Sequence, residues 1–123
     1  MSARVLIVDD HPPFRALARM LLEADGFDVV GEAGDGAEAV RVARALRPDV
    51  VLLDVQLPGG DGFGVAGELA AHPPGPAVVL VSSRSHGDYG RRVADSPARG
   101  FITKAELSGQ TLRAVLGADR RAS

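Results

Sequence analysis

The 123-residue sequence has no cysteine and no hydrophobic run long enough to cross a membrane. Without cysteine, disulfide bonds and thiolate metal sites are excluded, so packing must stabilise the fold. The longest apolar runs, such as 50–53 and 77–81, are far shorter than the roughly 20 residues that span a bilayer. Asp9 and Asp10 interrupt the first apolar stretch, so residues 1–8 do not form a signal peptide. We therefore expect a cytoplasmic protein without a membrane segment.

The sequence also lacks an excess of basic residues, with 14 Lys and Arg against 16 Asp and Glu. Nucleic-acid surfaces normally show a concentrated basic face, so we expect no nucleic-acid binding by this domain itself. The hydrophobic content of 46% is enough for one continuous core. Because repeats and linker-like segments are absent, we predict one domain over residues 1–117 and a polar, frayed tail over residues 118–123. The segment after Lys104 has room for one helix and not for a second domain.

Short apolar runs alternate with longer stretches of helical spacing, which is typical of parallel strands joined by crossover helices. We predict strands at about 4–8, 28–32, 50–53, 77–82 and 100–103. This alternation predicts an α/β fold with a doubly wound, five-stranded parallel sheet of order 2-1-3-4-5 and five helices.

The five helices differ in the strength of their signals. The first is opened by Pro12 and closed by Gly26, and its apolar residues recur every three or four positions. The second runs from Asp35, with Glu38 as its capping-box partner, to about Leu46. The other three are predicted at about 63–71 with Asp61 as cap, 88–95, and 108–116 with Ser108 as cap. The third and fourth are weaker because they contain glycines.

Polar residues stand at the ends of four of the five predicted strands. In an open α/β sheet, ligands bind outside the carboxyl ends of the strands. The strand-end groups are Asp9-Asp10, Asp54, Ser82-Ser83 and Thr103-Lys104. In the predicted order, the strand that ends at Glu32-Ala33 lies at the sheet edge, so the four polar ends converge on one crevice.

Three carboxylates in this crevice require a positive partner. Like charges about 4 Å apart repel by about 4 kcal/mol at an effective dielectric of 20. Mg²⁺ suits oxygen ligands from Asp9, Asp10 and Asp54, whereas Zn²⁺ would favour cysteine or clustered histidine. Lys104 supplies a second positive charge, and Ser82 a hydroxyl. This set suits attack of Asp54 on a phosphoryl donor, which needs mainly positioning and charge neutralisation.

Four motifs, in order and each at a strand end, resemble those of bacterial two-component response-regulator receiver domains. They are Val8-Asp9-Asp10, Leu53-Asp54-Val55-Gln56-Leu57-Pro58-Gly59, Val81-Ser82-Ser83 and Gly100-Phe101-Ile102-Thr103-Lys104. The likeness covers nearly the whole chain and implies the flavodoxin-like fold. Lys-Ala-Glu-Leu, with Ala105 where many receivers have proline, resembles the NarL/LuxR-type subfamily, whose receivers usually precede a DNA-binding helix-turn-helix. Such an output domain would lie outside this sequence.

The resemblance implies a role for each matching residue. Asp54 would accept the phosphoryl group of a histidine kinase or phosphotransfer protein, assisted by Ser82 and Lys104. Asp10, Asp54 and the Gln56 carbonyl would bind Mg²⁺ directly, and Asp9 mostly through water. The domain would be a phosphoacceptor that assists its own phosphorylation and dephosphorylation, rather than an enzyme, and could form a homodimer when phosphorylated.

The family also couples phosphorylation to a hydroxyl and an aromatic ring, here Ser82 and Phe101. When Ser82 bonds the phosphoryl oxygen, Phe101 would turn into the space that it leaves. Two departures bear on this switch: Ser82 replaces the commoner threonine, and Phe101 lacks a tyrosine hydroxyl, so its movement would rest on packing. The fourth helix is the predicted mobile element.

Several alternatives stay open at this point. Asp10 could be only the cap of the first helix. Gly62-Phe63-Gly64-Val65-Ala66-Gly67, with Asp88 further on, fits a dinucleotide-binding fingerprint, although no strand ends directly before it. An aspartyl-phosphate phosphatase would need an acid where His11 stands, and a receiver-like module that is never phosphorylated is a further alternative. His11, His72 and His86 lack ligand spacing and are predicted to be surface residues.

Overall fold

The computed structural model describes residues 2–71 and 73–121, with side chains to residue 117. Its five-stranded parallel sheet comprises β1 (Arg4–Val8), β2 (Asp28–Ala33), β3 (Val50–Asp54), β4 (Ala77–Ser82) and β5 (Gly100–Thr103). The strands lie in the order β2-β1-β3-β4-β5, which confirms the predicted topology. A short antiparallel hairpin, Gln56–Leu57 with Gly60–Asp61, follows β3 and was not expected. No helix of the described residues has the length and apolar character that a membrane span requires.

Helices cover both faces of the sheet. They are α1 (Pro12–Ala24), α2 (Gly36–Leu46), α3 (Gly62–Ala70), α4 (Arg92–Asp95) and α5 (Gly109–Arg121), with single 3₁₀ turns at His86–Tyr89 and Lys104–Glu106. Residues of α1 and α5 pack on one face, and those of α2, α3 and α4 on the other. Alternate residues of each strand serve the two cores, so that Leu6 joins one core and Ile7 the other.

The central strand β3 is buried along its whole length. Both of its faces are covered by helices, as is usual for a parallel strand, and this explains its uninterrupted apolar sequence. Each fully buried Val or Leu side chain contributes about 1.5–3 kcal/mol by leaving water. The strand is thus firmly anchored, and its last residue, Asp54, is held at a fixed position.

The position at which α1 begins excludes the hypothesis that Asp10 is its N-cap residue. The N-cap residue is His11, and no side chain caps this terminus. Pro12 and Pro13 occupy the first helical positions and have no N–H groups, so fewer donors need a partner. Asp10 therefore does not cap α1.

The predicted fourth helix is wrong in extent. Instead of a helix over residues 88–95, the chain forms a 3₁₀ turn at His86–Tyr89, a break at Gly90, and only four helical residues, Arg92–Asp95. Gly90 has a φ of +58°, a conformation that ends regular helix and favours glycine. The segment after β4 is consequently short of helical hydrogen bonds.

Two other helix ends also differ from prediction. The start of α5 agrees with prediction, because Ser108 Oγ accepts from Thr111 N and so caps the helix. Its end does not, because α5 continues to Arg121, whereas a frayed tail was predicted from residue 118. At α2, Asp35 caps the helix as predicted, but the Glu38 side chain does not accept a hydrogen bond from the Asp35 N–H. Its carboxylate accepts from Gly34 N instead, so the capping box is one-sided. Residues 122 and 123 of the predicted tail lie outside the described residues.

Candidate functional site

Parallel register brings the predicted strand ends together. Val8 pairs with Leu53, Asp54 with Val81, and Ser82 with Thr103. The residue after β1, Asp9, donates its N–H to Ala33 O at 3.0 Å, which keeps Asp9 in line with the sheet. Asp9, Asp54, Ser82 and Lys104 therefore stand on neighbouring strands at one edge. The predicted convergence is a direct result of strand order.

The Lys104 ammonium lies between the two buried carboxylates. Its Nζ is 2.6 Å from Asp9 Oδ2 and 3.4 Å from Asp54 Oδ2. Asp9 is fully buried and Asp54 is 2% exposed, while the Lys104 side chain is 17% exposed. The ammonium also lies 4.5 Å from the centre of the Phe14 ring on α1. This aromatic contact, which the sequence did not indicate, helps to hold the lysine over the carboxylates.

The two carboxylates differ in their pKa because they share Lys104 unequally. Burial and, after it, the nearby charge of Asp9 raise the pKa of Asp54 to about 6, although Lys104 opposes both. Burial also tends to raise the pKa of Asp9, but its contacts with Lys104 and His11 outweigh burial and lower it. Burial lowers the pKa of Lys104, yet the two carboxylates together raise it. Asp9 is thus the carboxylate that the lysine neutralises, and Asp54 is the one left with excess negative charge.

His11 belongs to the same cluster, although the sequence placed it among surface residues. Its ring is mostly exposed, as predicted, but Nδ1 lies 3.0 Å from Asp10 Oδ1 and 3.1 Å from Asp9 Oδ1. Its backbone N–H also donates to Asp9 Oδ1 at 2.8 Å. Histidine directly after two acids was the available signal, because the turn into α1 brings its ring back to them. His72 lies outside the described residues, and His86 is exposed.

The donor set fits a hard divalent cation. One ligand atom from each of Asp9, Asp10, His11 and Asp54 lies within 4.8 Å of the other three. Asp9 Oδ2, although buried, has no hydrogen-bond partner among the described residues, and its short contact with Lys104 is an ion pair. Carboxylate oxygens, which Asp9, Asp10 and Asp54 supply, are the ligands that Mg²⁺ prefers, and one lysine cannot neutralise all three.

Gln56 approaches Asp54 through its backbone. Its N–H donates to Asp54 Oδ1 at 3.2 Å, while its side chain is exposed on the short hairpin. This bond fixes one oxygen of Asp54 and leaves the other beside Lys104. The placement of Gln56 next to the carboxylates is compatible with the ligand role predicted for its carbonyl, which remains a prediction.

The hydroxyl of Ser82 contacts a residue that sequence reasoning missed. Ser82 is fully buried, and its Oγ lies 2.6 Å from the hydroxyl of Tyr89, in the 3₁₀ turn after β4. Phe101, the predicted aromatic partner, is half-buried and contacts the Tyr89 ring at 5.9 Å between centroids. A tyrosine seven residues after the serine gave no recognisable signal, because the break at Gly90 could not be placed from the sequence.

The glycine-rich segment 62–67 does not have the setting of a dinucleotide site. Gly62 is the first residue of α3, and it follows the short hairpin rather than a strand of the main sheet. A Cβ on Gly62 would collide with the backbone oxygen of Asp54 and lie 2.9 Å from Val55 Cα. The glycine thus permits close packing of α3 on the end of β3, which is a structural reason for its presence. Asp88, the acidic residue of that fingerprint, accepts a hydrogen bond from Ser85 N.

Comparison with known proteins identifies the family. The family model for the response regulator receiver domain matches residues 5–116. The response regulator GacA of Pseudomonas viridiflava is 38% identical over 113 residues, which are 91% of this chain and 53% of that protein. The DNA-binding transcriptional activator EvgA of Escherichia coli K12 is 33% identical over 110 residues, 89% of this chain and 54% of that protein. The chain spans about half the length of the curated relatives it matches.

Solved structures agree with this comparison. The signal receiver domain of the response regulator NarL from Mycobacterium tuberculosis superposes with a TM-score of 0.85 and 34% identity, over 97% of both chains. A LuxR-family two-component response regulator from Aurantimonas sp. SI85-9A1 gives a TM-score of 0.83 and 29% identity, over 96% of this chain and 87% of that chain. The chain belongs to the response regulator receiver domains, a family of signalling domains that are phosphorylated on aspartate.

Proposed function

We propose that Asp54 is the phosphoacceptor of this receiver domain. The observation that carries the proposal is the unequal sharing of Lys104, which leaves Asp54, at the end of the central strand, as the carboxylate with excess negative charge. Asp9 is neutralised by the lysine and Asp10 lies after β1, so neither matches Asp54 as a nucleophile. The donor would be the phosphohistidine of a histidine kinase or phosphotransfer protein.

The reaction is an in-line displacement. An Asp54 carboxylate oxygen attacks phosphorus, the O–P bond forms, the N–P bond of the phosphohistidine breaks, and the electron pair stays on the imidazole. Lys104 would contact one oxygen of the phosphoryl group and Ser82 another. Asp10, Asp54 and the Gln56 carbonyl would hold Mg²⁺, with Asp9 in contact mostly through water, and the ion, when bound, would neutralise charge on the transferred group. Lys104 would then move from Asp9 towards the new dianion.

The proposed domain takes one phosphoryl group for each chain and is not a turnover enzyme. Family membership supports a histidine kinase as partner and the cytoplasm as location. We also propose that residues 1–117 form the receiver unit, that phosphorylation favours a homodimer, and that DNA binding belongs to a separate output domain. The relatives' roles in transcription support an output of this kind.

The test is intact mass spectrometry after incubation with Mg²⁺ and acetyl phosphate. The unaltered chain should gain one phosphoryl group and Asp54→Asn none. Asp88→Asn is the matched control, because Asp88 is an exposed acid on the same cleft and should not affect the gain. Modification of Asp54→Asn to the same extent would contradict the proposal.

Two further assays separate the alternatives. Release of many equivalents of phosphate from a phosphomonoester would support a phosphatase, since a receiver hydrolyses only its own acyl phosphate. An unmodified chain, with both acetyl phosphate and a phosphorylated histidine-containing partner, would support a receiver-like binding module.

A further inference from the structure

The Ser82 hydroxyl has two hydrogen-bonding neighbours. Arg84 N donates to Ser82 Oγ at 3.1 Å, and the Tyr89 hydroxyl lies 2.6 Å from the same atom. Ser82 is fully buried at the end of β4, whereas Tyr89 is half-buried. The direction of the bond between the two hydroxyls follows from how each proton can be satisfied.

A serine hydroxyl has one proton to donate and two lone pairs that accept. Arg84 N can only donate, so the Tyr89 oxygen is the acceptor in reach of the Ser82 proton among the described residues. Leaving a buried donor without a partner is costly, while a half-buried phenol can give its own proton to water. Ser82 therefore donates to Tyr89 in the unmodified protein.

A phosphoryl group on Asp54 would compete for that proton. Phosphoryl oxygens only accept, and a hydrogen bond to a charged oxygen is roughly twice as strong as one between neutral groups. A single proton cannot serve both oxygens. When Ser82 donates to the phosphoryl group, Tyr89 loses its donor.

We propose that Tyr89 is a positioning residue that holds Ser82 away from the phosphoryl site until Asp54 is modified. This inference rests on the proposed function of Asp54. The Tyr89 ring lies 5.8 Å from the Phe63 ring and 5.9 Å from the Phe101 ring, so it connects Ser82 to both α3 and β5. Release of its hydroxyl passes the change at Asp54 to the surface formed by the 3₁₀ turn at His86–Tyr89. The hydroxyl that Phe101 lacks is thus present on the neighbouring ring of Tyr89.

The chain contains a built-in reporter for this event. Tyr89 is the single tyrosine of the sequence, and there is no tryptophan. Ultraviolet absorbance and fluorescence of the phenol therefore report on Tyr89 alone. Phosphorylation with acetyl phosphate should shift the spectrum of the unaltered chain towards that of unmodified Ser82→Ala, in which Tyr89 has already lost its donor.

Mass spectrometry on the same samples separates the two proposals. Full modification without a spectral shift overturns the role of Tyr89 and leaves the phosphoacceptor intact. An equal shift in phosphorylated Ser82→Ala also overturns it, because no donor remains there to be lost. A chain that stays unmodified overturns both.

A kinetic experiment tests the coupling independently. Tyr89→Phe keeps the ring and removes the competing acceptor, so phosphorylation at fixed acetyl phosphate should become about two- to tenfold faster, the effect of one ordinary hydrogen bond. In the Ser82→Ala background the same substitution should change the rate by less than about twofold. A purely structural role for Tyr89 would alter both backgrounds alike, and an unchanged or slower rate in the serine background would contradict the inference.

Discussion

The two sides of the strand-end cleft are built differently. The carboxylate side consists of Asp9, Asp54 and Lys104, and the hydroxyl side consists of Ser82, the 3₁₀ turn at His86–Tyr89 and α4. On the carboxylate side, buried strands carry the acids, and one lysine is held against both. On the hydroxyl side, Ser82 and Val93 are buried, but the intervening residues 83–88 are exposed.

Helical support differs in the same way. The helices next to the carboxylate side, α1 and α3, have 13 and 9 residues, whereas α4 has 4. An exposed ion pair between Arg92 and Asp61, at 2.6 Å, connects α4 to the start of α3, but such pairs stabilise by at most about 1 kcal/mol. Chemistry at Asp54 requires fixed geometry, while transmission of a signal requires a segment with low local stability. In this domain the carboxylate side of the cleft has the fixed geometry, and the hydroxyl side has the low local stability.

The largest expected effect is loss of rigidity on the carboxylate side through Gly62→Ala. The added Cβ meets backbone atoms of Asp54 and Val55, which cannot rotate away. Gly62 N also donates to Val55 O at 2.7 Å, so the helix cannot easily retreat. We expect a loss of about 2–4 kcal/mol in the free energy of unfolding, measured with urea.

Gly67→Ala is the matched control in the same helix. Nothing lies within 4 Å of a Cβ at Gly67, and alanine favours helix over glycine by about 1 kcal/mol. This variant should be as stable as the unaltered chain or more so. Equal losses in the two variants would show that the carboxylate side is not specially constrained at Gly62.

A smaller effect concerns the charge left on Asp54. Because the folded-state pKa is raised to about 6 from 3.8, this group's contribution to stability is fully present below pH 3.8 and is lost as pH rises through 6. In a chelating buffer, Asp54→Asn should therefore match the unaltered chain at pH 3.5 and exceed it by about 1–3 kcal/mol at pH 7.5. Urea unfolding at several pH values measures the difference.

Asp61→Asn is the control, because the pKa of Asp61 is shifted in the opposite direction to that of Asp54. The pKa of Asp61 is lowered, first by the Gly64 N–H and then by Arg92, so its carboxylate stabilises the fold at neutral pH. Asparagine can still cap α3, and this variant should show no gain at pH 7.5. A gain in both variants would mean that general charge reduction, and not the crowding at Asp54, is responsible.

The features that were predictable from the sequence are those that depend on strand order. Strand order and the meeting of Asp9, Asp54, Ser82 and Lys104 were predictable because parallel strands place their carboxyl ends at one edge, whatever the loops do. The difference between the pKa of Asp9 and that of Asp54 was not predictable, since it depends on which carboxylate oxygen the lysine approaches more closely. The residue types were enough to identify the candidate site residues, whereas the pKa of each carboxylate depends on how the side chains pack.

The errors lie mainly in the connections. Gly90 weakened the predicted fourth helix, but a break at this residue was not predicted, and so the contact of Tyr89 with Ser82 was missed. Local propensities are nearly balanced there, and the choice between 3₁₀ turn and α-helix depends on tertiary contacts. The contacts of His11 with Asp9 and Asp10 were missed for a similar reason, because they form only after the turn into α1.

The smallest expected effect lies on the hydroxyl side, with Gly87→Ala. Gly87 is in the 3₁₀ turn, and a Cβ there meets no atom within 4 Å. Alanine restricts the unfolded chain, so we expect a gain of about 0.4–1 kcal/mol in unfolding free energy and slower amide exchange at residues 86–95. Gly90→Ala, three residues on, should instead destabilise the fold, because a φ of +58° is unfavourable for alanine.

Amide exchange decides whether the hydroxyl side has the lower local stability. If both substitutions left amide exchange unchanged, the local stability of the hydroxyl side would be no lower than that of the carboxylate side. A gain for Gly87→Ala that spreads to the amides of β3 would argue that the two sides unfold as one unit.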